Sequence, residues 1–385
     1  MVSLLADVTM LAAFCAAEPA KEGRASFELK RVPKPSIEDL PAGTILIKSY
    51  AVSICGSDLW GKGGCCDSPE WRRPTDYLRQ QMHTCGGTGH EALGEVAEVV
   101  EPCRFRVGQR VLALSAAYVQ AVGSIRAAFE SETGKSANTL PRAGAFSEFF
   151  VSHACVCIAV PTHPPPTCPS FDPRWYLAAQ PLGTLIHAVK KLGSIMGMNV
   201  VIVGQGGNGL IMTGLIERLG ARRIIAMDIL EDRLKLSKKS GATHTILSST
   251  DPSKEDNMKK TIHDITEGEM CDIAVDCVGH NEYSLDLAAA MTKDAGTVLL
   301  FGLPPAQDET GFTIRSPDFR RNIRYQTTHS PDMKTFELAV DFLKLGRYDP
   351  SLLFTHNIPF KKFPEAYDMA SKYKDGVVKI ILTFD

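Results

Sequence analysis

The feature that most constrains the fold is a spaced set of three glycines after an apolar run. Gly204, Gly206 and Gly209 stand within NVVIVGQGGNGLIMTGLIERLG, where they follow the apolar residues 199–203 and open a stretch with helical periodicity. Gly204 permits a tight turn, Gly206 lets the backbone approach a bound group, and Gly209 lets the helix pack closely against the strand. The spacing therefore predicts a strand–turn–helix unit at the start of an open α/β sheet.

Strands and helices alternate after this unit. The chain contains near-continuous apolar runs, such as RRIIAMD, CDIAVDCVG and GTVLLFGL, and between them helical stretches such as EDRLKLSKKSGA. Apolar runs of this kind are typical of parallel strands that are covered on both faces. The fold class that we predict is α/β, with a doubly wound parallel sheet from about residue 199 to about residue 323 and a second, mostly-β domain.

The same region predicts a dinucleotide site. The helix that begins near Gly207 offers free N–H groups and a partial positive charge to a pyrophosphate. Asp228 ends the next strand, nineteen residues after the last glycine of the pattern, and its carboxylate would bind the ribose hydroxyls and repel a 2′-phosphate, so NAD is favoured over NADP. Arg222, Arg223 and Arg233 flank this strand and could weaken that preference. The residues expected at the cofactor are Gly204, Gly206, Gly207, Gly209, Asp228 and Arg233.

A second chemical pattern lies in the first 160 residues, where short apolar runs separated by turn residues predict a mostly antiparallel, barrel-like domain. Cys55 stands in SICGSDLWG, and His90 and Glu91 are adjacent in GTGHEALGEVAEVV. A thiolate, an imidazole and a carboxylate together suit zinc, and three protein ligands with one open position are typical of a catalytic zinc site. Taken singly, Cys55 fits a buried thiol and His90 a structural residue, so the prediction depends on all three.

The overall composition limits the classes of partner. The chain has 42 basic and 44 acidic side chains and a net charge of −2, which gives no reason to expect binding to nucleic acid or to an anionic membrane. No apolar run approaches the ~18 residues of a membrane-spanning helix. Eleven scattered cysteines favour thiols in a reducing compartment, so we expect a cytoplasmic protein. The apolar start lacks the basic residue that precedes a signal sequence, and we expect a strand near residues 10–16.

Seven short motifs occur in the order that a known family shows. They are CGSD at 55–58, GHE at 89–91, VGQRV at 107–111, QPLGTLIHA at 180–188, VGQGGNG at 203–209, DCVG at 276–279 and VVKIIL at 377–382. On these motifs the chain resembles the zinc-dependent medium-chain dehydrogenases/reductases of the alcohol dehydrogenase superfamily, in the branch of polyol, sugar and threonine dehydrogenases. The resemblance implies a GroES-like catalytic domain over residues 1–185, completed by residues 324–385, and a Rossmann NAD-binding domain over residues 186–323. It also implies a homodimer or homotetramer.

The resemblance gives roles to individual residues. Cys55, His90 and Glu91 match the family's zinc ligands. Ser57 matches the hydroxyl that bonds the substrate alcohol and starts a proton relay. Asp58 matches the carboxylate that orients the ligand histidine, and loss of such a carboxylate usually weakens metal binding.

Three positions depart from the family pattern. Gln180 stands where the last ligand is usually a glutamate or cysteine. We keep Gln180 as a direct or water-mediated ligand. The alternative is that Gln180 is a polar residue that caps the helix. Trp60 stands where many relatives have a histidine that passes the proton to solvent. Either the proton relay takes another route here, or Trp60 shapes the substrate pocket. The alternative for Trp60 is packing in the core. Residues 112–150, where relatives often hold a structural zinc, contain no cysteine. We therefore predict one catalytic zinc and no structural zinc.

These patterns predict an NAD-dependent zinc oxidoreductase that acts on a secondary alcohol or polyol-type small molecule, or on its ketone or aldehyde. Zinc would act as a Lewis acid on the alcohol oxygen, and NAD would accept the hydride. The loop of residues 61–89, with Cys65, Cys66, His83 and Cys85, is expected to shape substrate choice rather than to bind metal. Two alternatives stay open: a zinc-free reductase of quinones or activated alkenes from the same superfamily, and a non-catalytic nucleotide-binding protein. A further alternative is that the glycine turn binds no ligand and that Asp228 is solvated.

Overall fold

The chain divides into two units in a computed structural model. The residues that the structure describes are 9–15, 27–59, 85–87, 89–141, 143–165, 168–279, 282–302, 316–328 and 331–384. The first unit comprises Met1–Gln180 and Asp332–Asp385, and the second comprises Pro181–Pro331. The borders predicted from the sequence, after residues 185 and 323, lie five residues after the first of these divisions and eight residues before the second.

The first segment of the first unit alternates short strands with two helices. In chain order they are β1 (Thr9–Cys15), β2 (Phe27–Pro33), β3 (Thr44–Ser53), β4 (Glu91–Val99), β5 (Arg110–Ala113), α1 (Ala116–Ala121), α2 (Gly123–Thr133), β6 (Phe149–His153) and β7 (Cys157–Ala159). Short 3-10 turns occupy Gly56–Leu59, Ala137–Thr139, Ala154–Val156 and Pro173–Ala178. The predicted opening strand is confirmed as β1.

The second unit alternates strands and helices. Its elements are α3 (Ala179–Val189), which starts at the border, then β8 (Asn199–Val203), α4 (Gly207–Arg218), β9 (Arg223–Asp228), α5 (Glu231–Lys239), β10 (His244–Leu247), α6 (Glu255–Ile265), β11 (Cys271–Asp276), α7 (Glu282–Met291), β12 (Thr292–Leu300), α8 (Ser316–Arg320) and β13 (Arg324–Thr327). The returning segment adds α9 (Met333–Lys344), β14 (Phe354–Pro359), α10 (Phe363–Ser371) and β15 (Lys379–Thr383) to the first unit. Across the described ranges, no helix combines the length and the apolar character that a membrane span needs.

The main sheet of the first unit brings distant segments of the chain side by side. Its strand order is β14–β15–β3–β4–β5–β7, with β6 also paired to β3, and all of these pairs except β14–β15 are antiparallel. The register places Ser53, the last residue of β3, opposite Glu91 of β4 and opposite Ile381 of β15. The end of β3 is therefore where residues near 55, 90 and 380 meet.

The second unit contains a six-stranded parallel sheet with the order β10–β9–β8–β11–β12–β13. The first strand in sequence lies in the middle, and the order reverses between β8 and β11, which is the arrangement of a doubly wound sheet. Strand β8 is buried at every position, as its unbroken apolar run requires. The predicted α/β class with a doubly wound parallel sheet is confirmed.

Candidate functional site

One group of metal-binding side chains stands out among the described residues. It consists of Cys55, His90 and Glu91, whose ligand atoms all lie within 4.8 Å of one another, and no other such group of three was found in the described ranges. Cys55 follows the end of β3, whereas His90 and Glu91 lead into β4. Because Ser53 and Glu91 face each other across these two strands, the strand ends hold a thiol, an imidazole and a carboxylate together.

The donor set fits a zinc ion. Thiolate sulfur, imidazole nitrogen and carboxylate oxygen are all zinc ligands in proteins, and a tetrahedral shell separates its ligand atoms by about 3.3–3.6 Å. The spread of up to 4.8 Å found here needs only a small contraction of the cluster. His90 and Glu91 are buried and Cys55 is partly buried. Three protein ligands leave one position for a further ligand, as catalytic zinc sites do.

Asp58 holds two of these side chains in place. Its buried carboxylate accepts a hydrogen bond from the backbone N–H of Cys55 at 2.8 Å and lies 3.6 Å from Nδ1 of His90. The Tyr367 hydroxyl donates to the backbone carbonyl of Asp58 at 3.0 Å, which anchors the turn that carries the aspartate. On the other edge of the imidazole, the Ser57 hydroxyl lies 3.5 Å from Nε2 of His90. The structure thus brings both residues to the imidazole.

The charges around His90 change its protonation. Burial lowers the pKa of His90, but the Asp58 carboxylate and the Cys55 thiol outweigh burial and raise the pKa to about 10. A protonated imidazole has no free lone pair for a metal. An ion that binds here therefore displaces a proton from His90.

A buried lysine that the sequence analysis missed lies against the cluster. Nζ of Lys379 is 2.9 and 2.7 Å from the two carboxylate oxygens of Glu91 and 3.4 Å from the carbonyl oxygen of Ile54. The Lys379 and Glu91 side chains are 5% and 0% exposed, and the Ser53 hydroxyl also donates to Glu91. Burial lowers the pKa of Lys379, but the Glu91 carboxylate outweighs burial, and the net effect is a raised pKa. The two groups therefore form an ion pair. A single charge inside the apolar run VVKIILTF is the signal that could have revealed this lysine.

A tyrosine lies between the His90 imidazole and Gln180. Nε2 of Gln180, near the start of α3, donates to the hydroxyl of Tyr118 in α1 at 3.1 Å. The Tyr118 ring stacks on the His90 ring, with centroids 4.9 Å apart and planes at 16°. The sequence analysis gave Tyr118 no role, because nothing in SAAYVQAV marks this aromatic residue as a neighbour of a histidine in a distant segment of the chain.

Several residues considered in the sequence analysis lie outside the described residues. They are Trp60, Cys65, Cys66 and His83. Cys85 is described, and it is a partly buried free thiol whose pKa burial raises to about 11. Burial therefore favours the protonated thiol over the thiolate.

The glycine loop of the second unit has the shape that a pyrophosphate site requires. Gly204 adopts φ of +88°, and a β-carbon on Gly209 would lie 1.9 Å from the Gly204 carbonyl oxygen. A β-carbon on Gly206 would have only Arg233 nearby, at 3.7 Å. Helix α4 begins at Gly207, so the free N–H groups of its first turn belong to this loop. Gly204 and Gly209 therefore each have a steric reason, whereas a β-carbon on Gly206 would meet no clash in this structure.

The side chain of Gln205 fixes the glycine loop in place. Its backbone N–H donates to the Asp228 carboxylate at 2.6 Å, and its side-chain carbonyl accepts from the hydroxyls of Thr213 and Ser237, both at 2.9 Å. Gln205 is fully buried. The sequence analysis gave no role to this residue between the glycines, although a fully satisfied buried network of this kind rigidifies a loop.

The three arginines near β9 do not lie together. Arg233 lies 3.8 Å from Asp228 at the end of the strand. Arg222 and Arg223 lie at its start, about 17 Å from Asp228 on a strand that rises ~3.3 Å per residue. They form ion pairs with Glu267 and Glu269. Of the three arginines, only Arg233 lies beside the Asp228 carboxylate, and Arg222 and Arg223 do not flank that end of the strand.

We expect Gly209→Ala to weaken NADH binding sharply and to lower the free energy of unfolding by about 1–3 kcal/mol, as overpacking usually does. The added carbon would overlap the Gly204 carbonyl oxygen and push α4 away from β8. NADH fluorescence titration measures the first effect and urea denaturation the second. Gly123→Ala is the matched control, because no atom lies within 4 Å of its β-carbon position. Wild-type NADH affinity in Gly209→Ala would contradict the steric argument.

Comparisons with known proteins cover both units. The model of the alcohol dehydrogenase GroES-like domain matches residues 41–162, and that of the zinc-binding dehydrogenases matches residues 207–344. Sorbitol dehydrogenase of Bombyx mori is 25% identical over 374 residues, which cover 94% of this chain and 96% of that protein. L-threonine 3-dehydrogenase of Bacillus velezensis is 27% identical over 359 residues, which cover 92% and 94%. The structure of 2R,3R-butanediol dehydrogenase from Bacillus subtilis has a TM-score of 0.72 at 20% identity and covers 97% of this chain and 99% of its own.

A GroES-like unit and a doubly wound unit in one chain define a two-domain oxidoreductase of the dehydrogenase class. The chain belongs to the zinc-dependent medium-chain dehydrogenase/reductase group of the alcohol dehydrogenase superfamily. The predicted family is thereby confirmed.

Proposed function

We propose that the chain is an NAD-dependent zinc dehydrogenase that oxidises a small secondary alcohol or polyol, or reduces the matching ketone or aldehyde. The observation that carries the proposal is the convergence of Cys55, His90 and Glu91 within 4.8 Å, with Asp58 behind them. A zinc ion held by these residues supplies the Lewis acidity that lowers the pKa of a substrate hydroxyl. Sorbitol, threonine and butanediol, which the relatives' names contain, all carry a secondary alcohol, and this supports the substrate class.

The protein's own groups would orient the centre and move the proton. The Asp58 carboxylate lies 3.6 Å from Nδ1 of His90 and would orient the imidazole so that Nε2 binds the ion. The Ser57 hydroxyl, 3.5 Å from that nitrogen, would accept the substrate proton at Oγ and release its own hydroxyl proton toward solvent. Gln180 remains a predicted zinc ligand in addition to Cys55 and Glu91. It would bind the ion directly or through water.

The second unit supports NAD as the cofactor, and NAD supplies the hydride acceptor. The Asp228 carboxylate at the end of β9 would repel a 2′-phosphate and accept from ribose hydroxyls. Arg233 lies 3.8 Å from Asp228 and offsets part of this negative charge. We therefore propose a preference for NAD that is reduced, but not reversed, by the arginine.

Metal analysis with an NAD-coupled screen tests this function. We expect about one zinc ion per chain, and NAD reduction with secondary alcohols, polyols or hydroxy amino acids that is lost on chelation and restored by zinc. NADP should give the lower kcat/KM. Full activity in metal-stripped protein would refute the zinc chemistry. Alkene reduction with NADPH by a zinc-free protein would favour a reductase, and NADH binding without any turnover would favour a non-catalytic protein.

Location and assembly are part of the proposal. The eight cysteines whose side chains the structure describes are free thiols, which supports a reducing compartment and hence the cytoplasm. We propose a homodimer or homotetramer, which light scattering on the purified protein would measure.

A further inference from the structure

The glycine loop contains a large polar side chain that is completely buried. Gln205 stands between the first two glycines of the loop and is 0% exposed. Its NH2 group donates to the backbone carbonyl of Ile202 at 3.3 Å, and its carbonyl oxygen accepts from the hydroxyls of Thr213 and Ser237, both at 2.9 Å. A backbone carbonyl can only accept, so the Ile202 contact fixes which end of the amide faces the two hydroxyls. Neither the sequence motifs nor the comparisons give this side chain a role.

These hydrogen bonds join the loop to the elements around it. Thr213 belongs to α4 and Ser237 to α5, so one carbonyl oxygen is bound to both helices. The backbone N–H of Gln205 donates to Oδ2 of Asp228, at the end of β9, at 2.6 Å. Thr213 and Ser237 are also 0% exposed, so water cannot replace the glutamine as their partner. The position of α5 against the loop therefore depends in part on Gln205.

Helix α5 carries the arginine that lies beside Asp228. The Ser237 hydroxyl shares its proton between Oε1 of Gln205 and the backbone carbonyl of Arg233, which lies one turn earlier and 2.8 Å away. Nη1 of Arg233 is 3.8 Å from Oδ2 of Asp228, the same oxygen that accepts from the Gln205 backbone. This nitrogen is also 3.7 Å from the position that a β-carbon on Gly206 would take, so the guanidinium lies at the glycine loop. Gln205 thus contacts one partner of this ion pair directly and the other through Ser237.

The separation of these two charges bears on the choice between NAD and NADP. A carboxylate at this position would repel a 2′-phosphate, whereas a guanidinium binds phosphate oxygens through paired, charge-assisted hydrogen bonds. While Arg233 is held against Asp228, each charge offsets the other. An arginine that could leave the aspartate would be available to the 2′-phosphate and would improve NADP binding relative to NAD binding.

We propose that Gln205 is a positioning residue, which holds Arg233 against Asp228 and so maintains the preference for NAD. The inference rests on the proposed use of NAD, but it does not require the zinc chemistry. The aspartate has a further anchor, since its Oδ1 accepts from the backbone N–H of Leu230 at 2.9 Å. The arginine is therefore the partner that moves when the glutamine side chain is lost.

The ratio of two cofactor affinities tests the inference. Dissociation constants of NADH and NADPH are measured by fluorescence titration, and the ratio of the NADPH value to the NADH value is compared between variants. Ser237→Ala removes the hydroxyl that links Gln205 to α5, and we expect it to lower this ratio about fivefold. Gln205→Leu should lower the ratio at least as much and should also weaken NADH binding. Thr213→Val is the matched control and should weaken both cofactors by the same factor, because α4 carries neither partner of the ion pair.

A double-mutant cycle with Arg233→Ala identifies the path of the effect. Without the guanidinium, Ser237→Ala should leave the ratio unchanged, and an equal fall of the ratio in both backgrounds would overturn the inference. An unchanged ratio in both Ser237→Ala and Gln205→Leu would mean that the hydrogen bonds only stabilise the fold, which would overturn the inference while the proposed function stands. If Gln205→Leu does not fold, Ser237→Ala, which removes one oxygen atom, decides the question alone. A wild-type protein that binds neither NADH nor NADPH would overturn the proposed function and this inference with it.

Discussion

Cys55→Ser is expected to remove zinc from the protein and to lower alcohol turnover about a thousandfold. A serine hydroxyl stays protonated and is a far weaker zinc ligand than a thiolate. Lewis-acid stabilisation lowers the activation free energy by several kcal/mol, and each 1.36 kcal/mol changes the rate about tenfold. The loss of this stabilisation therefore accounts for a change of this size. The fold should persist, because sulfur and oxygen differ little in volume at this partly buried position.

Metal content, turnover and NADH affinity together check the Cys55 prediction. Because the glycine loop belongs to the second unit, NADH should bind Cys55→Ser as it binds the wild type. Cys168→Ser, which changes another partly buried free thiol of the first unit, is the matched control and should keep both zinc and activity. Zinc retained in Cys55→Ser together with full turnover would exclude the thiol as a ligand.

The parallel sheet could be predicted in detail because its physical signal is local. Strands β8, β9 and β11 are buried on both faces, so each is an apolar run in the sequence. A glycine or an acidic residue marks the end of each run. Strand β13 (Arg324–Thr327) gave no such signal, since an edge strand with the sequence RYQT is half exposed and polar. The predicted border after residue 323 therefore precedes this strand, although it pairs with β12.

The metal cluster could be predicted only in part, because part of it depends on register. Cys55, Ser57 and Asp58 share one short turn, so their proximity follows from the sequence. The contact between Glu91 and Lys379 spans 288 positions and exists because β15 and β4 both pair with β3. No pattern in a single sequence encodes that pairing.

Lys379→Met is expected to lower the free energy of unfolding of the metal-free protein by about 3–5 kcal/mol, the usual cost of leaving one buried charge without its partner. Glu91 and Lys379 are 0% and 5% exposed, so water cannot replace the lost ammonium group. Methionine keeps the length and apolar bulk of the side chain. Urea denaturation followed by tryptophan fluorescence measures the effect, since Trp175 lies in the first unit.

The controls separate charge from packing. Lys379→Arg should retain most of the stability, and Lys334→Met, at an exposed position of α9, should change it by less than about 0.5 kcal/mol. Glu91→Gln should rescue much of the loss in Lys379→Met, because the double variant buries no lone charge. If the two losses simply added, the ion pair would not be their source. Since Lys379 lies 2.7 Å from the Glu91 carboxylate, the rescue would show that the lysine offsets the cost of burying this predicted ligand.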